Sequence, residues 1–295
     1  MNSVRKVVIP VAGLGTRFLP ASKAVPKEML PVVDKPAVQY NVEEAASVGI
    51  TDVLMVTGRN KEAIENHFDA MPELNANLAA KGDEARIALA AESENLAQIH
   101  FVRQGEALGL GHAVLCAKGH VGNEPFVVML GDDLIDARDP VLEQMIAIRE
   151  QHGGSVLCLM EVPQDQVYLY GCAAVEPADS PDVVRVTGLV EKPPPGEEPS
   201  NLIVIGRYLL DPKVFEVLER TEPGRGGEIQ LTDALHELID IDPQDGGGVH
   251  AVVFDGRRYD TGDKLSYLQA NVMLALDNDE LGGSFREWLK SYLSE

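Results

Sequence analysis

Between Val4 and Leu210 short apolar runs alternate with amphipathic stretches, and the alternation changes period as it goes. Val4 to Val11 is a β-branched run that ends at glycines, TDVLMVTG is a second apolar run, and IHFVR, ending at Arg103, is a third. Between them, Pro36 to Val48 (PAVQYNVEEAASV) has helical apolar spacing with proline at its start, and Asn60 to Phe68 reads as a short helix capped by Asn60. Strands that are apolar on both faces and separated by helices predict a parallel, doubly wound start. Met71 to Gln98 is rich in Ala, Leu and Glu, too helix-prone and too long for a structureless loop inside a domain. Gly109 to Ala117 predicts a helix opened by glycines. PFVVMLGDDLID predicts one buried strand running out into acidic residues, Asp139 to His152 a helix, and SVLCLMEV another strand.

After about residue 163 the runs shorten: CAAVE, VVRVTGLVE and LIVIGRYLL are separated by the turn-forming PPPGEEP and EPGRGGE. Leu231 to Ile239 is helical, VHAVVF and GRRYDTGD return to strand, and two helices close the chain, Asp263 to Leu276 and Ser284 to Leu293. In the last, Phe285, Trp288, Leu289, Tyr292 and Leu293 form a helical stripe, available for a dimer contact or for docking on the chain itself. The fold class is therefore α/β, a Rossmann-like doubly wound mixed sheet with a smaller α+β portion packed on it. One domain over 1–295 is expected, with approximate sub-regions 1–162, 163–262 and 263–295.

Composition narrows the function without choosing it. A 45% hydrophobic chain of 295 residues has ample core, and it holds no apolar run of about 18 residues. The N-terminal stretch MNSVRKVVIP has no small-residue cleavage site, so a cytoplasmic protein without membrane contact is expected. Cys116, Cys158 and Cys172 fit no zinc or redox spacing and read as reduced thiols. A net charge of −22 argues against nucleic acid or an anionic membrane as partner, and any polyanionic ligand must find a local basic pocket.

The stretch AGLGTRFLPASKAVPKEMLP supplies such a pocket. It lacks the Gly-Lys-Ser/Thr ending of a P-loop. A dinucleotide-binding turn wants a small residue where Phe18 stands and an acidic strand end about 20 residues on, whereas Asp34 lies before a proline turn. What remains is a glycine turn whose N–H groups can face a phosphate, followed by Arg17, Lys23 and Lys27. In so acidic a chain, three cations at one loop point to a triphosphate. Asp132 ends a buried strand, where ligands of open α/β sheets collect.

AGLGTRFLP with SKAVPKEMLPVVDKP resembles the signature of the nucleotide-diphospho-sugar pyrophosphorylases, and PKEMLPVVDKPAVQYNVEEAASVGI is similar to their bacterial branch acting on UTP and glucose-1-phosphate. The resemblance continues in order through RQGEALGLGHAV, VVMLGDDLID, YGCAAVE, GLVEKP, IVIGRYLL, GGEIQLTDAL and RYDTGD. It implies the nucleotide-diphospho-sugar transferase fold and attack by a sugar-1-phosphate oxygen on the α-phosphorus of a nucleoside triphosphate, with Mg²⁺ as cofactor. It implies Ala12, Gly13 and Gly15 at the nucleotide phosphates, Arg17 at the β and γ phosphates, Lys27 at the α-phosphate, and Gln104 as uracil reader with Gly109 giving the base room. Gly171 and Glu191 would meet the sugar, Lys192 its phosphate, and Asp132 with Asp260 the metal. A homodimer or homotetramer is also implied. Cys172 departs from the aliphatic or small residue expected after Gly171 and packs as a small hydrophobe.

The glycine loop, the lysine and the metal aspartate are shared with relatives that use dTTP or CTP. UTP rests on two further marks of resemblance, PKEMLPVVDKPAVQYNVEEA and the helical excursion from Met71 to Gln98. A silent sugar-nucleotide sensor would be expected to lose Arg17, Lys27 or Asp132 first, and all three are present.

Overall fold

Alternate residues of the first strand face two different cores. In Lys6–Pro10 (β1), Val7 and Ile9 belong to one buried cluster and Val8 to the other. This period of two is what a strand covered by helices on both faces requires. The computed structural model describes residues 4–294. After β1 the glycine loop runs through one-turn 3-10 segments at Thr16–Phe18, Ala21–Lys23 and Lys27–Met29. A small hairpin, Pro31–Val32 (β2) with Lys35–Pro36 (β3), leads into Ala37–Ser47 (α1). Asp52–Thr57 (β4), Glu62–Phe68 (α2), Pro72–Ala80 (α3), Glu84–Glu94 (α4) and Gln98–Arg103 (β5) follow. The excursion is thus a pair of helices, the second capped by Asp83, which accepts from the Arg86 N–H.

Leu110–Leu115 (α5) and Lys118–Val121 (α6) precede Phe126–Met129 (β6) and Asp133–Ile135 (β7). Next come Leu142–His152 (α7), Ser155–Glu161 (β8), Gly171–Ser180 (β9), Val183–Glu191 (β10) and Leu202–Leu210 (β11). Lys213–Leu218 (α8), Leu231–Ile239 (α9), Val249–Val253 (β12), Arg258–Asp260 (β13), Lys264–Asp277 (α10) and Gly282–Leu293 (α11) complete the chain. Among the described residues no helix is long and apolar enough to cross a membrane.

Nine strands form one mixed sheet in the order β5-β4-β1-β6-β11-β8-β12-β10-β9. The first four are parallel, while β11 runs antiparallel to both β6 and β8. Strands from beyond residue 163 therefore extend the same sheet, with β11 inserted between two strands of the earlier part. Helices α1, α2 and α7 cover one face and α5, α6, α8 and α9 the other. Arg207 of β11 is fully buried and ties α1 to the sheet through Asn41 (2.7 Å) and Glu44 (2.6 Å).

The sequence reading needs correction in two places. Asn60 does not cap α2: it sits at φ 60 in a left-handed turn, whereas an N-cap needs extended backbone, and the helix starts two residues later. PFVVMLGDDLID is not one strand. The chain leaves the sheet after Met129, turns through Asp132, and pairs β7 with β13 instead. Asp133 and Asp136 of the acidic run are buried, Asp133 against Arg258 and Asp136 against Arg138. The stripe on α11 is divided, with Phe285 and Leu289 half-buried and the remaining residues exposed. Phe285, Trp288 and Tyr292 stack along the helix, with Trp288 57% and Tyr292 62% exposed.

Candidate active site

The loops after β1, β4, β5 and β6 all leave the sheet at its carboxyl edge, and the expected nucleotide residues lie there. Ala12 packs on Gly58, where a Cβ would stand 3.1 Å from the Ala12 carbonyl oxygen, and Gln104 donates its N–H to Thr57 at the next strand end (2.8 Å). Gly15 has φ 65, so glycine suits the turn, and a Cβ there would lie 3.2 Å from Lys27 Cβ and 3.3 Å from Ser22 Cβ. The Gly13 carbonyl accepts from Lys61 Nζ (2.8 Å) and the Gly15 carbonyl from Ser22 Oγ (2.7 Å). Because C=O and N–H of a trans peptide point in opposite directions, the N–H groups of Leu14 and Thr16 are turned away from those donors. Phe18, too large for a dinucleotide turn, packs edge-on against Tyr267 of α10 at 5.5 Å. Lys23 is exposed at the end of its 3-10 turn.

Lys27 reaches under this loop to an ion pair with Asp132. Burial opposes charge on both groups, but their mutual attraction outweighs it: the Lys27 pKa is raised, with help from Glu28, and the Asp132 pKa is lowered, with help from Arg17. Both are therefore held charged. Thr261 clamps the Asp132 backbone carbonyl with its N–H (2.7 Å) and hydroxyl (2.8 Å), which brings Asp260 alongside. A Cβ on Gly262 would press into Asp132 Oδ2 and lie 3.0 Å from Asp260 Oδ1 and 3.3 Å from Arg17 Nη2. Three functional side chains thus converge on one glycine, and Lys27 joins them through its ion pair with Asp132. Burial raises the Asp260 pKa, and Asp132 and Asp133 raise it further against the pull of Arg258 and Arg17.

Gly109 and Gln104 meet at the other end of the loop region. Gln104 Nε2 approaches the Gly109 carbonyl (3.1 Å) and His112 Nδ1 (3.0 Å), which fixes the amide orientation. At Gly109 the crowding comes from the protein itself: φ is 108, and a Cβ would meet the Ile229 carbonyl oxygen at 2.7 Å. The expected sugar residues also assemble. Gly171 pairs with Glu191 across β9 and β10, and a Cβ on Gly171 would lie 3.3 Å from Glu191 Oε2. Lys192 Nζ is 3.1 Å from Glu191 Oε1, and its backbone takes φ 47.

Four further residues hold this arrangement without having been singled out by the sequence. Glu28 and Lys61 form a buried pair at 2.8 Å, with burial raising the Glu28 pKa against Lys61's pull. Thr232, opening α9, donates to Glu191 Oε2 (2.7 Å). Arg258 grips Asp133 (2.7 Å), lies 3.8 Å from Asp260 and covers the Tyr170 ring, joining the carboxylate group to the Gly171 segment. The Lys61–Glu28 spacing and the threonine after Leu231 were visible signals, but only the fold gives them partners.

Residues 6–276 match the family described as Nucleotidyl transferase. The chain is 45% identical over 296 residues to a UTP–glucose-1-phosphate uridylyltransferase of Bacillus subtilis (strain 168), covering 100% of this chain and 99% of that one. It is 48% identical over 294 residues to the UTP–glucose-1-phosphate uridylyltransferase YngB of the same organism, covering 100% and 96%. The solved structure of a UTP-bound UGPase from Acinetobacter baumannii superposes with a TM-score of 0.88 at 41% identity, covering 97% of this chain and 98% of that one. A UDP-glucose pyrophosphorylase complexed with UDP-glucose superposes at 0.80 with 40% identity, covering 93% and 100%. Matched almost end to end by relatives of one kind, the chain belongs to the nucleotidyl transferase family, among its UTP–glucose-1-phosphate uridylyltransferases.

Proposed function

We propose that this protein transfers the uridylyl group of UTP to glucose-1-phosphate, giving UDP-glucose and pyrophosphate. An oxygen of the sugar phosphate bonds to the α-phosphorus while the bond from that phosphorus to the oxygen bridging to the β-phosphate breaks. Such a reaction asks the protein mainly to position its reactants and neutralise charge. The observation that carries the reading is the convergence of Arg17, Asp132 and Asp260 on Gly262, with Lys27 paired to Asp132, beneath a glycine loop.

In this reading the loop at Ala12, Gly13 and Gly15 receives the triphosphate on backbone N–H groups. Lys27, kept charged by Asp132, neutralises the α-phosphate as attack proceeds. Arg17, exposed at the loop, takes the β and γ phosphates of the leaving group. With its Nε2 held by two acceptors, Gln104 offers Oε1 to the N3–H of uracil, which cytosine lacks. Glu191, steadied by Thr232, accepts from glucose hydroxyls beside Gly171, and Lys192 holds the sugar phosphate.

The donors at Asp132 and Asp260 suit Mg²⁺, which takes one or two carboxylates with phosphate oxygens and waters. The depressed pKa of Asp132 keeps an anionic ligand ready, and Asp260 stands beside it. Bound there, Mg²⁺ would supply neutralisation of the phosphate oxygens. We read the chain as one nucleotidyltransferase domain working in the cytoplasm as a homodimer or homotetramer, which the exposed α11 stripe supports.

The test is pyrophosphate release with Mg²⁺, offering UTP, dTTP, CTP and ATP against glucose-1-phosphate, then other sugar phosphates against the best nucleotide. Release with UTP and glucose-1-phosphate above all other pairs is expected. A preference for dTTP would overturn the nucleotide assignment and keep the chemistry, and silence with every pair would overturn both.

A further inference from the structure

Asp52 opens β4, where its ladder partner is Gln98, while His100 pairs with Leu54. Partners in a ladder share a face, and residues two apart on a strand share it as well. Asp52 and His100 therefore project from the side on which Leu54 packs with Val121 of α6. His120 precedes Val121 and descends on that side. Its Nε2 lies 2.7 Å from Asp52 Oδ1, His100 Nε2 lies 3.9 Å from the same oxygen, and the two rings are 4.9 Å apart. One ligand atom from each of the three falls within 4.8 Å of the others. The cluster sits where β4 begins, at the end of the parallel strands opposite Asp132.

A simple ion pair accounts for Asp52 with His120 but not for the second imidazole. At 3.9 Å, His100 is beyond hydrogen-bond reach of the oxygen it approaches. The nearby cations are engaged elsewhere: Lys6 Nζ donates to the carbonyls of His120 (3.2 Å) and Val121 (3.1 Å) and lies 3.3 Å from Glu124, and Arg5 binds Glu124 at 2.9 Å. Two nitrogens and one carboxylate oxygen thus face a common point from three elements.

We propose that Asp52, His100 and His120 form a site for a borderline divalent transition metal of the zinc, cobalt or nickel class. Imidazole nitrogens suit these ions, whereas Mg²⁺ prefers oxygen donors such as the Asp132–Asp260 pair. Metal–ligand bonds of about 2.1 Å place two ligand atoms at most about 4.2 Å apart. The three ligand atoms, all within 4.8 Å of one another, therefore need at most a small closure. His100, 49% exposed, gives solvent access for water as a fourth ligand. Such an ion would clip β4, β5 and α6 together, and the folded chain would gain stability from its binding.

The experiment uses the untagged, metal-stripped chain, titrated with Co²⁺ while the visible ligand-field absorption is read, then chased with Zn²⁺, with melting followed in parallel. One Co²⁺ per chain, displaced by Zn²⁺, and a melting temperature raised by Zn²⁺ are expected. His100→Gln and His120→Gln, each with an unchanged circular dichroism spectrum, should weaken Co²⁺ binding by more than the about 10-fold typical of losing an outer-shell partner, and abolish the melting shift. Asp132→Asn should keep both signals. The proposal is overturned if the native chain shows no saturable band, if the band survives both histidine variants, or if Asp132→Asn removes it.

Discussion

Lys27 and Asp132 illustrate how a chemical group is kept charged in a place that disfavours charge. Each compensates the other's desolvation, so removing the lysine costs chemistry directly and leaves Asp132 to face its burial with only Arg17 nearby. Lys27→Met should lower kcat by about 10²–10³, the loss typical of one preorganised electrostatic contact, measured as pyrophosphate release at saturating substrates; an unchanged kcat would remove Lys27 from the chemistry. Asp260 has the opposite sign. Its folded pKa is raised above the unfolded value, so the native state binds a proton more tightly than the unfolded state does. Its ionised form therefore destabilises the fold at neutral pH, and that cost fades as pH falls through the raised pKa. Asp260→Asn should raise Tm in metal-free buffer at pH 7, lose that advantage towards pH 4, and reduce Mg²⁺-dependent turnover; a lower Tm at neutral pH would contradict the electrostatic account. The residues in this pair of predictions were legible because charge beside glycine, or at a strand end, is informative in one dimension. Arg258 was not, since its partner Asp133 lies 125 residues away and only the pairing of β7 with β13 brings them together.

At the scale of elements, the glycine loop is held by a contact to the turn before α2. Lys61 bridges the Gly13 carbonyl and Glu28, both within 2.8 Å, in a place where neither charge is solvated. Lys61→Met strands Glu28 as a buried charge and should destabilise the fold by about 3–5 kcal/mol, read by denaturant unfolding. Adding Glu28→Leu removes the stranded charge and should recover most of that stability, but not the donor to Gly13. The double variant should therefore keep a raised KM for UTP; a native KM would show that Lys61 only serves the core. Elements legible in the sequence were those with a single environment along their length. Strands β1, β4 and β8 are buried on both faces and read as unbroken apolar runs, and Asp263 announces α10 by accepting from the Leu265 and Ser266 N–H groups. The break between β6 and β7 falls at Gly131, Asp132 and Asp133, and it was hidden because apolar residues resume on its far side: Leu130 ends one environment and Leu134 enters a third small core with Tyr259 and Ala270. Hydrophobicity records burial but not which sheet provides it.

On the scale of the whole molecule, charge and apolar surface are distributed unevenly. The chain carries −22, yet α11 (GGSFREWLKSYL) holds Arg286 and Lys290 against Glu287, a local sum of +1. The same helix exposes Trp288, Tyr292 and Leu293, and Leu265 and Leu268 stand exposed on α10. An apolar stripe on a helix of local charge +1 in an acidic chain is suited to meeting another copy, because it joins chains where their mutual repulsion is weak. Burial of such a stripe hardly depends on salt, while the repulsion between two acidic bodies is screened over about 10 Å at 0.1 M ionic strength. Self-association should therefore tighten as NaCl rises from low to physiological concentration, measured by sedimentation or light scattering. Trp288→Glu with Tyr292→Glu should shift the species towards monomer while leaving pyrophosphate release per chain intact, since neither residue belongs to the site. Association that weakens with salt would mean that ion pairs, and not this stripe, join the copies; a native mass in the double variant would place the contact on another surface.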